Sequence, residues 1–178
     1  IISIAIIGVG ARGGEAYGKY IYEKKDKFKI VALCEPNLER LNKYSEMFNV
    51  PKEACFTDEK EFFKEKRADC LLVTTLDNLH FRMAKTALLL GYDLLLEKPI
   101  SKSVKELNEL NQLVKKTKRK VLVCHVLRYT PMMLKLKQLI QSGLIGKLVS
   151  IDHTENIVYY HEAHSYVRGN WADTNKTT

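Results

Sequence analysis

The sequence predicts an α/β fold, in which helices cover both faces of a parallel sheet. Apolar runs typical of buried strands alternate with helical patterns over residues 1–126. A single helix separates successive strands, which is typical of parallel pairing with right-handed crossovers. The first strand runs directly into a glycine-rich turn that opens a helix. Together these features predict a doubly wound parallel sheet of the Rossmann type.

Each element of this sheet is predicted from its apolar periodicity and its end signals. The predicted strands are residues 3–7, 29–34, 54–56, 70–74, 93–97 and 121–126, and the predicted helices are residues 11–24, 38–48, 58–66, 80–90 and 103–118. Asp58 with Glu61, and Ser103 with Glu106, have the spacing of capping boxes at helix starts. Gly91 follows the fourth helix as a stop signal.

Residues 127–178 predict the start of a second domain. A proline at the first turn and a glycine just past the end bracket a helix from Pro131 to Ser142. A long strand is expected from Lys147 to Tyr160, and a strand of that length suits an antiparallel sheet. The expected architecture is a Rossmann-type domain, residues 1–126, followed by the beginning of an α+β domain with a mainly antiparallel sheet. The polar end, residues 173–178, is expected to lack regular structure.

Composition bounds the class of protein. A length of 178 residues fits one domain and part of another. No apolar run approaches the roughly 20 residues of a membrane helix, so we expect no membrane partner. The net charge is +8, but the lysines are scattered, and their densest group, residues 115–120, lies at a predicted helix end. Positive charge there complements the helix dipole, so we expect no nucleic-acid partner.

The cysteines give an expectation about location. Cys34, Cys55, Cys70 and Cys124 are widely separated and form no C-x-x-C pair, so no metal site is expected. They lie in or beside apolar runs, and buried thiols suit a reducing compartment. The first residues lack the features of a secretory signal, because the apolar opening leads directly into the glycine turn. The expected location is the cytoplasm.

The glycine turn carries the first functional signal. Gly8, Gly10 and Gly13 form the pattern G-x-G-x-x-G between a strand and a helix. Here the first glycine permits a tight turn, the second lets a pyrophosphate approach the backbone, and the third lets the helix pack closely on the strand. The helix start, at Ala11 and Arg12, would present backbone N–H groups to the phosphates. A glycine turn without a ligand is the alternative.

Glu35 lies at the end of the second strand, 22 residues after Gly13. A carboxylate in this place accepts hydrogen bonds from the adenine-ribose hydroxyls and repels a 2′-phosphate, so NAD is favoured over NADP. Arg12 would offset part of that repulsion, which leaves NADP possible.

Lys98 carries the second signal. It follows a run of apolar strand residues and precedes Pro99, whose ring fixes the backbone and which can form a cis peptide bond that directs the preceding side chain inward. At the carboxyl end of a central strand, Lys98 would face the crevice where doubly wound sheets bind ligands. Burial and a positive nicotinamide would favour the neutral amine, the form that accepts a proton from a substrate hydroxyl. A salt-bridged lysine at a strand end is the alternative.

Two further groups are candidates. Thr75, Asn78 and His80 follow the fourth strand and should line the same crevice, where Asn78 and His80 would contact ribose or nicotinamide. His80 would equally cap or pack the helix that follows. In the second domain, the candidates for holding a hydroxylated substrate are His161, His164, Arg168 and Trp171. A subunit contact or an ordinary loop is the alternative for this group.

These residues resemble the Gfo/Idh/MocA family of oxidoreductases, named after glucose-fructose oxidoreductase, inositol dehydrogenase and a rhizopine-catabolism protein. The matching segments are I-G-V-G-A-R-G at residues 7–13, C-E-P at 34–36, residues 75–80, E-K-P at 97–99 and V-L-R-Y at 126–129. The E-K-P tripeptide in its strand context is the most specific of them, and the resemblance spans nearly the whole chain.

The resemblance implies an NAD(P)-dependent dehydrogenase acting on sugars, polyols or related hydroxylated molecules. It implies that Lys98 is the catalytic lysine, that Glu97 lies near the nicotinamide ribose, and that Arg128 and Tyr129 lie near the crevice between the domains. Family enzymes form dimers or tetramers, so a homo-oligomer is expected. They also carry a D-x-x-x-H pattern in the second domain, which is expected after residue 178, so the chain is expected to be a fragment without turnover of its own.

Two rival functions remain at this point. A regulator or sensor that binds NAD without catalysis would keep the same fold and glycine turn. An S-adenosylmethionine-dependent methyltransferase also uses a glycine turn and an acidic residue after the second strand. That class gives no reason for a lysine and proline after the fifth strand.

Overall fold

The computed structural model of the chain describes residues 1–173, and the predicted polar segment, residues 173–178, lies outside them except for Asp173. The described residues form two compact units, Ile1–Val123 and Cys124–Asp173. Within residues 1–173, no helix combines the length and the apolar character that a membrane crossing needs.

A six-stranded parallel sheet forms the first unit. Its strands are β1, Ile2–Ile7; β2, Phe28–Cys34; β3, Cys55–Phe56; β4, Cys70–Val73; β5, Asp93–Leu96; and β6, Val121–Val123. The order across the sheet is β3-β2-β1-β4-β5-β6, and every pair of neighbours is parallel. The predicted doubly wound sheet is confirmed.

Helices connect these strands and continue into the second unit. They are α1, Lys19–Glu23; α2, Leu38–Phe48; α3, Glu59–Phe62; α4, His80–Leu89; α5, Val104–Thr117; α6, Pro131–Gln141; and α7, Tyr159–Glu162. A π-helical segment, Ala11–Gly18, runs directly into α1, so the predicted first helix is wide at its start. Gly91 and Gly143 adopt positive φ after α4 and α6, as the sequence predicts for stop signals.

The core lies on both faces of the sheet, as a parallel sheet requires. Along β1, Ile4 and Ile6 pack in the cluster that contains residues of α2, whereas Ala5 and Ile7 pack in the cluster that contains residues of α4 and α5. This alternation follows from the two-residue period of a strand. Because both faces are covered, β1 is apolar throughout its buried part, and ligands have access only at the strand ends.

The carboxyl ends of the four central strands are in register. Ile7 is paired with both Cys34 and Val73, and Val73 is paired with Leu96. The residues that follow these strands therefore leave the sheet at one edge. The sequence placed its main candidate residues at these points, and the register brings them together.

Two helix ends differ from their sequence predictions. Ser103 takes the cap position of α5 without a side-chain hydrogen bond to the helix. Instead the Ser101 hydroxyl pairs with the Glu106 carboxylate and accepts a hydrogen bond from the Ser103 N–H at 3.0 Å. Asp58 does cap α3, accepting from the Lys60 N–H at 2.8 Å. However, α3 ends at Phe62 rather than near residue 66, and the Arg67 Nε donates a hydrogen bond to the Phe62 carbonyl at this end, at 2.9 Å.

The predicted strand from Lys147 to Tyr160 is wrong. Residues 148–158 have no regular secondary structure, and α7 begins at Tyr159. Alternating apolar side chains form a strand only when a neighbour supplies a ladder of backbone hydrogen bonds. In the part of the second unit that the structure describes, Cys124–Asp173, there is no strand to supply one. The apolar side chains of this segment, Ile151 and Ile157 among them, are exposed.

The four cysteines are thiols and not disulfides. Cys34 and Cys124 are buried, whereas Cys55 and Cys70 are only partly buried, so the prediction of four buried thiols is half right. Burial raises the pKa of the Cys34 thiol to about 12 and that of Cys70 to about 11. Both therefore stay protonated near neutral pH, where a nucleophilic or metal-binding cysteine needs a thiolate.

Tyr92 directly precedes β5, and its hydrogen bond to Arg67 can be tested by substitution. Its side chain is fully buried, and its hydroxyl accepts a hydrogen bond from the Arg67 N–H at 2.7 Å. Tyr92→Phe removes that acceptor, so we expect the free energy of unfolding to fall by about 1–3 kcal/mol. Urea unfolding measures the change, with Tyr20→Phe on an exposed ring as the control. Equal midpoints for Tyr92→Phe and the unmodified protein would contradict the expectation.

Candidate functional site

The turn after β1 is built against the neighbouring strands. Gly8 has φ +89°, donates its N–H to the Cys34 carbonyl at 2.8 Å, and would place a Cβ 2.6 Å from the Thr74 carbonyl oxygen. The Thr74 hydroxyl in turn donates to the Gly8 carbonyl at 2.6 Å. A side chain at position 8 is therefore excluded both by the backbone conformation and by the close approach of β4.

The next glycines differ in what surrounds them. A Cβ at Gly13 would overlap the Gly8 carbonyl oxygen, and one at Gly14 would overlap the Tyr44 ring. Gly10, in contrast, would place a Cβ in open space, with nothing within 4 Å. Packing within the protein therefore accounts for Gly13 and Gly14 but not for Gly10. The open space lies beside the start of the π-helical segment, where no side chain caps the first N–H groups. Ala11 and Arg12 begin that segment.

Contacts to α2 hold this helix start in place. The Tyr44 hydroxyl donates to the Glu15 carboxylate at 2.5 Å, and the Lys43 ammonium lies 2.8 Å from the same oxygen. Lys19 pairs with the other carboxylate oxygen. Hydrogen bonds from Lys19, Lys43 and Tyr44 lower the pKa of Glu15 to about 2. The ionised carboxylate therefore persists across the neutral range and anchors the helix to α2.

Glu35 follows β2 and is buried, with 5% of its surface exposed. One carboxylate oxygen accepts a hydrogen bond from the Val9 N–H at 3.0 Å, and the other accepts from the Asn37 N–H at 3.2 Å. Arg40 Nη1 lies 3.6 Å from the second oxygen. The carboxylate thus braces the glycine turn against the start of α2. A carboxylate has about four acceptor positions, so capacity remains for hydroxyl donors.

Sequence reasoning missed Arg40 and expected Arg12 to supply the positive charge near Glu35. In the structure, the Arg12 Nε lies 3.9 Å from the Glu97 carboxylate, at the opposite end of the site. Arg40 lies in the first turn of α2, five residues after Glu35, and this spacing was the available signal. The group that would offset repulsion of a 2′-phosphate at Glu35 is therefore Arg40.

Glu97 and Lys98 follow β5 at the same edge. Glu97 is buried, donates its N–H to the Val73 carbonyl, and accepts hydrogen bonds from the Tyr17 hydroxyl and the Lys98 N–H, both at 2.9 Å. Sequence reasoning missed Tyr17, which lies in the π-helical segment. The Lys98–Pro99 peptide bond is cis. The expected burial of Lys98 is wrong, because its side chain is exposed; the strand ends at Leu96, two residues before it.

The segment after β4 completes the edge. Thr75 is partly buried, and Asn78 is exposed in a 3-10 turn, Asp77–Leu79. His80 is almost fully buried, with 1% of its surface exposed. Its ring nitrogens lie 2.7 Å from the Pro99 carbonyl oxygen and 3.0 Å from that of Thr75. This favours the alternative in which His80 packs at the start of α4 over a contact with the cofactor.

A cavity of about 550 Å³ lies beside α4. Side chains of α4 and Glu106 of α5 line it, and Asn78 is the one predicted site residue among its lining. Ligands of doubly wound sheets bind outside the carboxyl ends of the strands, whereas every lining residue except Asn78 belongs to α4 or α5. We therefore assign the site to the strand edge and not to this cavity.

The remaining candidates lie in the second unit. Arg128 is in a 3-10 turn, Val126–Tyr129. The rings of His164 and Tyr160 stack with centroids 5.8 Å apart, and those of His161 and Tyr166 meet edge to face at 6.1 Å. Exposed positions on these short turns are taken by His161, His164, Arg168 and Trp171. Their role in substrate binding stays a prediction. Among residues 1–173, no group of three or more His, Cys, Asp or Glu side chains is arranged to hold a metal ion.

Comparison with known proteins decides the family. The model of the Gfo/Idh/MocA oxidoreductase family, described as having an NAD-binding Rossmann fold, matches residues 2–125. The chain belongs to this family. The resemblance predicted from the glycine turn, Glu35 and the E-K-P tripeptide is thereby confirmed.

Individual relatives agree with this family. YteT of Bacillus subtilis is 26% identical over 175 residues, which are 94% of this chain and 40% of YteT. Oxidoreductase P35 of Formosa agariphila is 27% identical over 151 residues, covering 85% of this chain and 46% of P35. The chain thus spans less than half the length of these relatives.

A solved structure supports the fold. Scyllo-inositol dehydrogenase of Lactobacillus casei, solved with bound NAD(H) and scyllo-inositol, superposes with a TM-score of 0.75 at 23% identity. The alignment covers 82% of this chain and 42% of the dehydrogenase. At this identity the likeness establishes the shared fold.

Proposed function

We propose that this protein is an NAD(P)-dependent dehydrogenase that transfers a hydride between a nicotinamide cofactor and a sugar, polyol or related hydroxylated substrate. The open space at Gly10 carries the proposal. At Gly13 a Cβ would overlap protein atoms, so packing explains the glycine there. At Gly10 a Cβ would overlap none, so packing does not explain this glycine. At Gly10 the space stands beside an uncapped helix start, which suits a pyrophosphate.

The chain's own residues fit the parts of such a cofactor. Backbone N–H groups of residues 11–13 would bind the phosphates, and the Glu35 carboxylate would accept hydrogen bonds from the adenine ribose. Thr75, Asn78, Glu97 and Arg128 would bind around the nicotinamide half. When bound, the nicotinamide ring supplies the acceptor for the hydride. Lys98 would act as the base that takes the proton of the substrate hydroxyl while the hydride leaves for the nicotinamide, so that the alcohol carbon becomes a carbonyl.

The second unit would supply the substrate contacts, with His161, His164, Arg168 and Trp171 binding hydroxyl groups. We also propose a cytoplasmic homo-oligomer, dimer or tetramer, and neither a membrane nor a nucleic-acid partner. Solved structures that share this fold include inositol dehydrogenases, which supports a cyclic polyhydroxylated substrate.

The experiment for this function uses the full-length protein. Fluorescence titration with NADH and with S-adenosylmethionine identifies the cofactor, and we expect saturation with NADH alone. A panel of inositols and aldoses with NAD and NADP, followed by the absorbance of the reduced cofactor, then identifies turnover. Binding of NADH without turnover on any member of the panel would favour a regulator or sensor.

Glu35 and Arg40 make the choice of cofactor testable. Glu35→Gln removes the negative charge and keeps an acceptor for the Val9 N–H, while Arg40 stays in place to bind a 2′-phosphate. We expect the ratio of the NADPH and NADH dissociation constants to fall about tenfold, with somewhat weaker binding of both. Adding Arg40→Gln should raise the ratio again. If the ratio of the two dissociation constants is the same in both variants as in the unmodified protein, the placement of the adenine ribose at Glu35 is contradicted.

A further inference from the structure

His80 joins two segments that leave neighbouring strands. Its Nδ1 lies 2.7 Å from the carbonyl oxygen of Pro99, after β5, and its Nε2 lies 3.0 Å from that of Thr75, after β4. An N–H on either ring nitrogen therefore has an acceptor. The ring is 1% exposed, so its nitrogens are shielded from water. Removing them would leave the partly buried carbonyl groups of Thr75 and Pro99 without this donor, which costs free energy.

The segment that the ring contacts is the one that carries Lys98. The Lys98 N–H donates to the Glu97 carboxylate, which fixes the backbone on one side of this residue. Pro99 has no N–H of its own, so its carbonyl group is its one backbone hydrogen-bonding group. With its ring hydrogen on Nδ1, His80 would donate to this carbonyl group and fix the backbone on the other side. The backbone at Lys98 thus has a contact on each side, to Glu97 before it and to His80 after it, while the Lys98 side chain is exposed.

We propose that His80 is a positioning residue that aims Lys98 through the carbonyl group of Pro99, and that it does not itself touch cofactor or substrate. This rests on the proposed role of Lys98 in proton transfer. A misplacement of about 1 Å in such a group lowers a rate by about 100-fold. A residue with a solely space-filling role would tolerate an apolar replacement of similar size, whereas a positioning residue needs the donor that faces Pro99.

Three substitutions separate the two contacts of the ring. The amide nitrogen of asparagine lies close to the place of Nδ1, so His80→Asn keeps a donor toward Pro99. The amide nitrogen of glutamine lies close to the place of Nε2, so His80→Gln keeps a donor toward Thr75. His80→Leu keeps apolar bulk and neither donor. Together they form a matched set at one buried position.

The full-length variants are compared by kcat and KM on the hydroxylated substrate that the inositol and aldose panel identifies, and by the dissociation constant of NADH. We expect His80→Leu to lower kcat by about 10- to 100-fold while NADH binding changes less than about threefold. His80→Asn should recover most of kcat, and His80→Gln should not. Equal recovery by both amides, or an unchanged kcat in His80→Leu, would overturn the proposal.

Hydrogen exchange gives a readout that needs no turnover. Peptides covering residues 97–103 should exchange faster in His80→Leu and His80→Gln than in His80→Asn, while peptides from β1 stay unchanged. Exchange at 97–103 that is equal in all variants would overturn the positioning role even if the protein proved inactive. Absence of NADH binding in the unmodified protein would instead remove the proposed function, and the exchange result would still decide the link to Pro99. If His80→Leu unfolds, the comparison of the two amides carries the test.

Discussion

Replacing Lys98 by Met is expected to lower kcat by about 100- to 10,000-fold, the usual contribution of a positioned acid or base, and to leave the dissociation constant of NADH within about threefold. The reason is that methionine keeps the apolar part of the side chain and removes the amine that we propose as the acceptor of the hydroxyl proton. Because Lys98 is exposed, its loss leaves no buried group without a partner. The fold should therefore keep its stability.

The measurement is steady-state turnover of the full-length protein with the best substrate of the panel, together with fluorescence titration of NADH. Lys105→Met, on an exposed position of α5, is the matched control and should leave both values unchanged. Unchanged turnover in Lys98→Met would refute the proton-transfer role. A parallel loss of NADH binding would instead indicate that Lys98 binds the cofactor.

Gly10→Val should weaken NADH binding, whereas Gly13→Ala should lower the free energy of unfolding. At Gly10 an added Cβ would have no protein atom within 4 Å, and a side chain there would occupy the place assigned to the pyrophosphate. We expect NADH binding to weaken at least about tenfold, equivalent to about 1.4 kcal/mol, with an unchanged unfolding midpoint. At Gly13 the new methyl overlaps the Gly8 carbonyl, and we expect unfolding to become easier by about 3 kcal/mol.

Both changes are measured by urea unfolding and by NADH titration of the same samples. In an ordinary helix, replacing glycine by alanine stabilises by about 1 kcal/mol, so a loss at Gly13 identifies the packing conflict. Gly91→Ala is no control here because that residue has positive φ. A stable Gly10→Val variant that binds NADH as tightly as the unmodified protein would place the pyrophosphate elsewhere.

Local patterns predicted the fold because β1 to β5 are apolar and their turns carry clear glycine and proline signals. The same patterns predicted that Gly8, Glu35 and Glu97 follow strands that end at one edge. What they did not predict depends on partners distant in the sequence. The Tyr17 hydroxyl donates a hydrogen bond to Glu97, which lies 80 residues later in the sequence, and no local spacing predicts that contact.

The errors have a common physical origin. The alternation over residues 147–160 is compatible with a strand, but a strand also needs a neighbour, and pattern alone does not supply one. Ser103 has the capping-box spacing to Glu106. However, the Glu106 carboxylate hydrogen-bonds to the hydroxyl of Ser101, two residues earlier in the sequence. The expected burial of Lys98 assumed that β5 continues through Glu97, whereas its ladder stops at Leu96.

The Glu35 carboxylate has one observed role and one proposed role, and together they would constrain how this lineage can evolve. The group that is suited to recognise the adenine end also accepts the Val9 N–H and so shapes the loop that receives the phosphates. A substitution of Glu35 that removes the side-chain acceptor as well as the charge therefore loosens the loop, whereas glutamine removes the charge and keeps the acceptor. Descendants that replace Glu35 by a residue without an acceptor need a compensating change near Val9, and the two positions should then vary together among relatives.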